Sequence, residues 1–206
     1  MKWQEEYKRK LISVEEAAKL IRSGDRVMAV GGSNDVPWGI PQALFARRDE
    51  LRDVEIVSFP AVTDPGWLQP GYEEHFKVSF LTYTGPLGRP PVVDRRATFT
   101  PVTWALSLKN FERLNEHKDI DWDIVTISAP NKQGFCNLGY ALWLKKDFIK
   151  KSKKVIAEVD SNKLWYYGDT TIHISEIDYL VEYPATMVSD EELHRFAAGV
   201  EPEEKF

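Results

Sequence analysis

Cysteine occurs once in this 206-residue chain, at Cys136. One thiol excludes an internal disulfide framework, and a chain without one fits a reducing compartment. Histidine is scarce as well. His75, His117, His173 and His194 are scattered, and none has a ligand-like neighbour four residues on, so no metal site is expected and each is assigned a structural role. No apolar run approaches the roughly 18 residues of a membrane span. The opening Met1-Lys2-Trp3-Gln4-Glu5-Glu6 is charged and has no signal-peptide core. A basic excess is also missing: net charge is −5. Lys and Arg gather only at Lys8–Lys10 and Lys145–Lys154, which read as solvated helix faces, so neither nucleic acid nor membrane is an expected partner. These observations point to a cytoplasmic protein. The G-x-S-x-G elbow of a hydrolase, the G-x-G-x-x-G fingerprint and the P-loop lysine are all absent.

What is present is ordinary for a globular chain: 43% hydrophobic and 29% charged residues. The length fits a single α/β domain over 1–206, with a helical arm at 1–12. Trp3 and Tyr7, spaced i and i+4, share one face of that arm. Ser13-Val14-Glu15-Glu16 has capping-box spacing and opens a helix that Gly24 is placed to end. Arg26 to Val30 reads as a strand, followed by Gly31-Gly32-Ser33 and a helix from near Pro37 through Leu51. Val54 to Phe59 is the next strand, so the unit predicts a parallel pair. Between Pro60 and Pro91 turn signals dominate, including Gly85-Pro86-Leu87-Gly88 and Pro90-Pro91, with one strand from Phe76 to Tyr83. A helix is predicted over Trp104 to His117, a basic helix over Lys145 to Lys151, and further strands over Lys154 to Val159, Thr171 to Ile174 and Tyr179 to Tyr183. Ser189 opens a last short helix. The pattern predicts an open, mostly parallel sheet flanked by helices.

The segment with the best claim to a ligand is Asp123 to Gly139. Ile124 to Ile127 is a β-branched run suited to a strand buried on both faces. It stops at Ser128-Ala129-Pro130-Asn131, and Gly134 and Gly139 frame the turn beyond. Ligands of open α/β sheets bind beyond the carboxyl ends of strands. The same residues would equally serve an ordinary strand-to-turn junction. Gly31-Gly32-Ser33 allows close backbone approach, and the amides of the helix after it favour anions, or it is simply a tight turn. Glu158 and Asp160 close a buried strand, where a carboxylate acts as acid, base or nucleophile, or as a turn former and cap. Cys136 reads as a small packed residue. From the residues alone, the chain is a parallel α/β domain with two glycine-bearing loops for a small or phosphorylated ligand.

Several segments, taken together and in order, resemble one family. Trp3 to Lys10, Ser13 to Ala18 and Ile21 to Val27 resemble the opening of the acetyl-CoA hydrolase / 4-hydroxybutyrate CoA-transferase family, within the class I CoA-transferases. Arg95 to Pro101 is similar to a mid-domain segment. In Asp123 to Gly139, residues Ser128, Pro130, Gly134, Leu138 and Gly139 match the family pattern, while Ala129, Asn131, Phe135 and Asn137 depart from it. Lys154 to Val159 and the segments Gly168-Asp169, Ile172 to Ser175, Ile177-Asp178 and Val181-Glu182 also match. Between them the family's E-V-N-x-x-M-P-R-T is replaced by Glu158-Val159-Asp160-Ser161-Asn162-Lys163-Leu164-Trp165-Tyr166.

The resemblance covers the amino-terminal half of the family only. It implies a CoA-transferase-like half, with coenzyme A as substrate, no covalently bound cofactor and a homo-oligomeric assembly. The substrates implied are short-chain acyl-CoA, such as acetyl-CoA, and carboxylates of the 4-hydroxybutyrate type. No catalytic residue is assigned to this chain: the family's nucleophilic glutamate belongs to the second half, in the same chain or a separate subunit. On this half's side of the cleft the resemblance and the loops together point to Gly31, Gly32, Ser33, Ser128, Pro130, Asn131, Gly134 and Gly168. Two other functions fit the residues: a non-catalytic module that binds a CoA thioester or another small ligand, and a structural subunit presenting Trp38, Trp67 and Trp165 to a partner.

Overall fold

Runs of β-branched and aromatic residues pair side by side into one parallel sheet. The computed structural model describes residues 2–29, 35–59, 64–82, 84–103, 109 and 119–183. In chain order these form α1 (Trp3–Lys10), α2 (Val14–Leu20), β1 (Arg26–Ala29), α3 (Gly39–Ala46), β2 (Val54–Ser58), β3 (Phe76–Leu81), α4 (Gly85–Val93), β4 (Ala97–Thr100), β5 (Ile120–Ser128), β6 (Phe135–Asn137), α5 (Lys145–Lys151), β7 (Ser152–Asp160), β8 (Thr171–His173) and β9 (Tyr179–Glu182). Short 3-10 turns follow α3 and β8. Seven strands lie in the order β4-β3-β2-β1-β5-β7-β9, and each neighbouring pair is parallel. β6 and β8 form a separate antiparallel pair.

The chain winds outward from β1 to β4, then returns to lay β5 on the other side of β1. The strand order therefore reverses between β1 and β5. Such a switch point opens a crevice at the carboxyl ends of the two strands.

Both faces of the sheet are covered, which is why its strands read as continuous apolar runs. Residues of α2 and α3 (Ala17, Ile21, Ile40, Leu44) pack with Val27, Ile56, Ile124 and Ile156. On the opposite face Ile149 of α5 joins Val125, Ile127, Val155 and Val159, and Cys136, Ile172 and Ile174 extend that cluster towards the small sheet. The predicted arm is α1. Trp3 and Tyr7 pack on this second cluster, Trp3 Nε1 donates to the Lys132 carbonyl (3.0 Å), and Tyr7 Oη donates to Glu182 (3.1 Å).

Several local expectations need correction. Gly85-Pro86-Leu87-Gly88 and Pro90-Pro91, read as turns, lie inside helix α4. Pro86 sits in the first turn, where its missing N–H has no helical partner to lose. Gly88 lets the helix lie on the Phe80 ring. Gly24 does not cap α2, which closes at Ile21; it forms the turn that follows, with φ of +83°. β4 and β6 carry no strong pattern and were not anticipated. Lys145, read as part of a solvated face, is fully buried. Trp38 and Trp67 are half-buried, and of the three tryptophans proposed for a partner only Trp165 is exposed. The helices expected at Trp104 to His117 and from Ser189, with the polar tail, lie outside the described residues, apart from Lys109.

The capping box of α2 is present in full: Ser13 Oγ accepts from the Glu16 N–H (3.1 Å) and Glu16 accepts from the Ser13 N–H (2.8 Å). Replacing an N-cap serine by alanine costs about 1 kcal/mol. Ser13→Ala is expected to lower the urea midpoint by the corresponding amount with an unchanged m-value; an unchanged midpoint would show that the box contributes nothing.

Candidate functional site

The carboxyl edge of the sheet at the switch point carries a buried ionic cluster. Asp35 lies in the β1–α3 connection and is buried. Its Oδ2 accepts from Lys145 Nζ (2.8 Å), and its Oδ1 accepts from Thr126 Oγ1 (2.7 Å) and from Lys163 Nζ. Lys163 also donates to Thr126 Oγ1 (2.6 Å), and Lys145 to the Leu138 carbonyl (3.1 Å). Burial alone would raise the Asp35 pKa, but the charges and hydrogen bonds of the two lysines outweigh it and hold the carboxyl below its ordinary value. Lys145 moves down to about 8, because burial opposes its charge more than Asp35 supports it. One carboxylate thus joins the β1–α3 connection, the end of β5, the start of α5 and the loop after β7. Gly139 completes the closure: a Cβ there would stand 2.5 Å from Asp35 Oδ2 and 2.6 Å from Lys163 Cε, so only glycine fits.

Two further carboxyl groups lie within the sheet. Glu158, at the end of β7, accepts from the backbone N–H groups of Trp38 (2.8 Å) and Ile40 (2.6 Å) at the start of α3. Burial raises its pKa while those amides pull it down. Glu158 is therefore a long-range cap of α3. The helix-start amides read from sequence as an anion site are already occupied by the protein's own carboxylate. Asp123 is different. It is 0% exposed, and among the described residues neither oxygen has a hydrogen-bond partner. It sits in the middle of the sheet, across from Met28 and Val155. Burial pushes its pKa up to about 8, only partly offset by Lys145.

The residues singled out from sequence fall into three groups. Gly31, Gly32 and Ser33 lie outside the described residues. Ser128, Pro130, Asn131 and Gly134 are brought together at the end of β5. Ser128 Oγ accepts from the Asn137 N–H (2.9 Å) and donates to the Ala129 carbonyl (2.9 Å). Asn131 Oδ1 accepts from the N–H groups of Gln133 (2.9 Å) and Phe135 (3.0 Å), shaping the turn. Gly134, with φ of +88°, leaves no room for a side chain between Trp3 and His173. Gly168 stands apart in an exposed turn. Asn137, a departure from the family pattern, ties this lip to the next loop through the Tyr166 carbonyl (2.8 Å) and Thr170 Oγ1 (2.9 Å).

Sequence reasoning missed Asp35, Thr126, Lys145 and Lys163. An aspartate in a glycine-rich loop and one lysine in a basic run carry no local mark of burial. Asp123 was read only as the first residue of the β5 segment and was not singled out as a buried charge.

His75 Nδ1 lies in hydrogen-bond contact with the Arg48 carbonyl, and His173 Nδ1 with Ser175 Oγ. Burial lifts the Cys136 thiol to about 12, which fits a packed residue. Among the described residues no group of three or more His, Cys, Asp or Glu is arranged to hold a metal, and no helix is long and apolar enough to cross a membrane. A cleft of about 430 Å³ between α1 and the β8–β9 connection is lined by paired charges, including Lys10 and Asp178, and lies beside the amino ends of β7 and β9 rather than at the switch point.

The fold and crevice define a doubly wound α/β domain with its candidate site at the β1/β5 switch point. The chain belongs to the acetyl-CoA hydrolase/transferase family, matching its N-terminal domain over residues 1–189. It is 33% identical over 184 residues to the 4-hydroxybutyrate coenzyme A transferase of Clostridium kluyveri, which covers 88% of this chain and 42% of that protein. The chain thus spans less than half the length of that relative. RipA of Yersinia pestis superposes with a TM-score of 0.76 at 23% identity, over 90% of this chain and 45% of that one. A chain of a decarboxylase AibA/AibB variant superposes with a TM-score of 0.59 at 15% identity, over 91% of this chain and 92% of that one. The same fold therefore also occurs in a chain of nearly this size.

Two outcomes test the buried carboxyls. Glu158→Gln replaces one acceptor oxygen by an N–H₂ group facing the α3 amides, and is expected to destabilise the domain by about 1–3 kcal/mol in urea denaturation. For Asp123 the folded pKa lies above the unfolded value, so the folded state keeps a proton that the unfolded chain releases. Stability must then fall as pH rises from about 4 to about 8. Asp123→Asn is expected to flatten that slope, gaining on the wild type towards pH 8. Parallel stability curves for the two proteins between pH 5 and 8 would contradict the assignment.

Proposed function

We propose that this chain is the amino-terminal domain, or a separately encoded subunit, of a CoA-transferase or acyl-CoA hydrolase acting on short-chain acyl-CoA and carboxylates. The family match over residues 1–189, with the fold's crevice at its switch point, carries this reading. In it the chain is incomplete alone, and a second α/β half brings the nucleophilic glutamate. A carboxylate attacking a thioester needs an enclosed cleft and preset donors for the oxyanion. This half supplies one wall: Gly31, Gly32 and Ser33 from the β1–α3 connection, Ser128, Pro130, Asn131 and Gly134 from the β5 lip, and Gly168 from the far loop. Asp35 is assigned a positioning role, because it joins the β1–α3 connection to β5 through Thr126 and to the loop after β7 through Lys163. Coenzyme A is the substrate rather than a resident cofactor. The single buried cysteine supports a cytoplasmic enzyme, and the family resemblance implies a homo-oligomer.

The Clostridium kluyveri relative supplies a partner for the test. Its unmatched second half, expressed separately and folded by circular dichroism, is mixed with this chain, acetyl-CoA and 4-hydroxybutyrate. Chromatography is expected to show 4-hydroxybutyryl-CoA formed in the mixture and in neither component alone. Absence of exchange, with both components folded and associated, rejects the proposal.

A further inference from the structure

The loop between β7 and β8 is held from beneath and bare above. Lys163 turns inward to Asp35 and Thr126. The Tyr166 carbonyl accepts from Asn137 Nδ2 (2.8 Å) and Thr170 Oγ1 (2.7 Å), and Asp160 Oδ1 accepts from the Asn162 N–H (2.9 Å). Between these ties Leu164, Trp165 and Tyr167 are 68%, 41% and 95% exposed. Tyr140, 54% exposed, stands beside them, its ring 5.9 Å from that of Tyr166. A loose loop would fold such side chains inward. Here the inward-turned Lys163 and the asparagine bridge hold the backbone. Exposed apolar side chains gathered in one loop mark an interface, and aromatic residues dominate interface cores. A surface already held in place also loses less freedom on binding.

We infer that Tyr140, Leu164, Trp165 and Tyr167 form the platform on which the second α/β half docks. This rests on the reading given under Proposed function. Two observations select that occupant. The chain matches only 42% of its Clostridium kluyveri relative, so more than half of such a protein lies outside this domain. The platform also rises from the carboxyl-end loops of β5 and β7, continuous through Gly139 and Lys163 with the switch-point cluster. A body seated there closes the crevice that this half leaves open.

The test is the double variant Trp165→Ser/Tyr167→Ser. Both side chains are exposed and the Lys163 tie is untouched, so circular dichroism and thermal midpoint are expected to match the wild type. Affinity for the separately expressed second half of the Clostridium kluyveri transferase is read by sedimentation velocity. Loss of two aromatic anchors is expected to weaken it roughly 30-fold. Equal affinities overturn the platform, as does a wild-type chain that pairs with itself through these residues and dissociates in the variant. CoA exchange in the wild-type mixture with equal affinity in the variant would leave the function standing and remove the platform. Binding that the variant loses, without exchange by the wild type, would do the reverse. A wild type that does not bind the folded half overturns both.

Discussion

One ionised carboxylate, Asp35, holds the carboxyl edge of the sheet together. A buried charge of this kind needs opposite charge and hydrogen bonds within reach. Lys145, Lys163 and Thr126 supply them, and each comes from a different element. Satisfying one group therefore fixes four backbone segments at once. Two lysines share one aspartate, and burial, helped by the charge of Lys163, lowers the Lys145 pKa. Buried ion pairs add little net stability against a well-packed apolar alternative. Their effect here is geometric. The loops that border the crevice are set relative to one another by bonds that tolerate little displacement, and Gly139 shows how closely they approach.

Glu158 imposes a second constraint. Its oxygens fill the amide cradle at the start of α3 from the neighbouring layer, so strand β7 and helix α3 are linked across the sheet's edge. A helix start at a switch point is ordinarily the place for a ligand's phosphate. With that cradle filled from within, polar recognition falls to the loops around it. Of the two roles that the sequence left open for this strand-end carboxylate, the structure shows the cap.

The sheet was legible because its strands are buried on both faces and read as β-branched runs; β1, β2, β5, β7 and β9 follow directly from that pattern. Helix α4 was not, because three prolines and two glycines in nine residues argue for turns unless the Phe80 ring beneath Gly88 is known. β8 was read as a short strand, but its partner β6 is too short to show a period. At the site, the glycine lip after β5 was readable from its turn residues. Asp35, Lys145 and Lys163 were not, since a lysine becomes a buried residue only when a carboxylate 110 or 128 positions away in sequence folds against it. Long-range charge pairing leaves no local signature.

The departures from the family pattern gather where this pairing acts. The run Asp160 to Tyr166 replaces a segment that the family writes with Asn, Met-Pro and Arg. Its first new feature, Lys163, points into the floor and adds to the Asp35 cluster; its next ones, Leu164 and Trp165, point out. The two directions are connected. An exposed aromatic loop keeps a fixed shape only if something beneath resists its collapse, and a buried lysine bonded to both Asp35 and Thr126 does so. Asn137, another departure, braces the same loop from the β5 lip. Lys163, Asn137 and the exposed residues that they hold therefore act as one unit, which stiffens the loop between β7 and β8 above the sheet and the α3 cap.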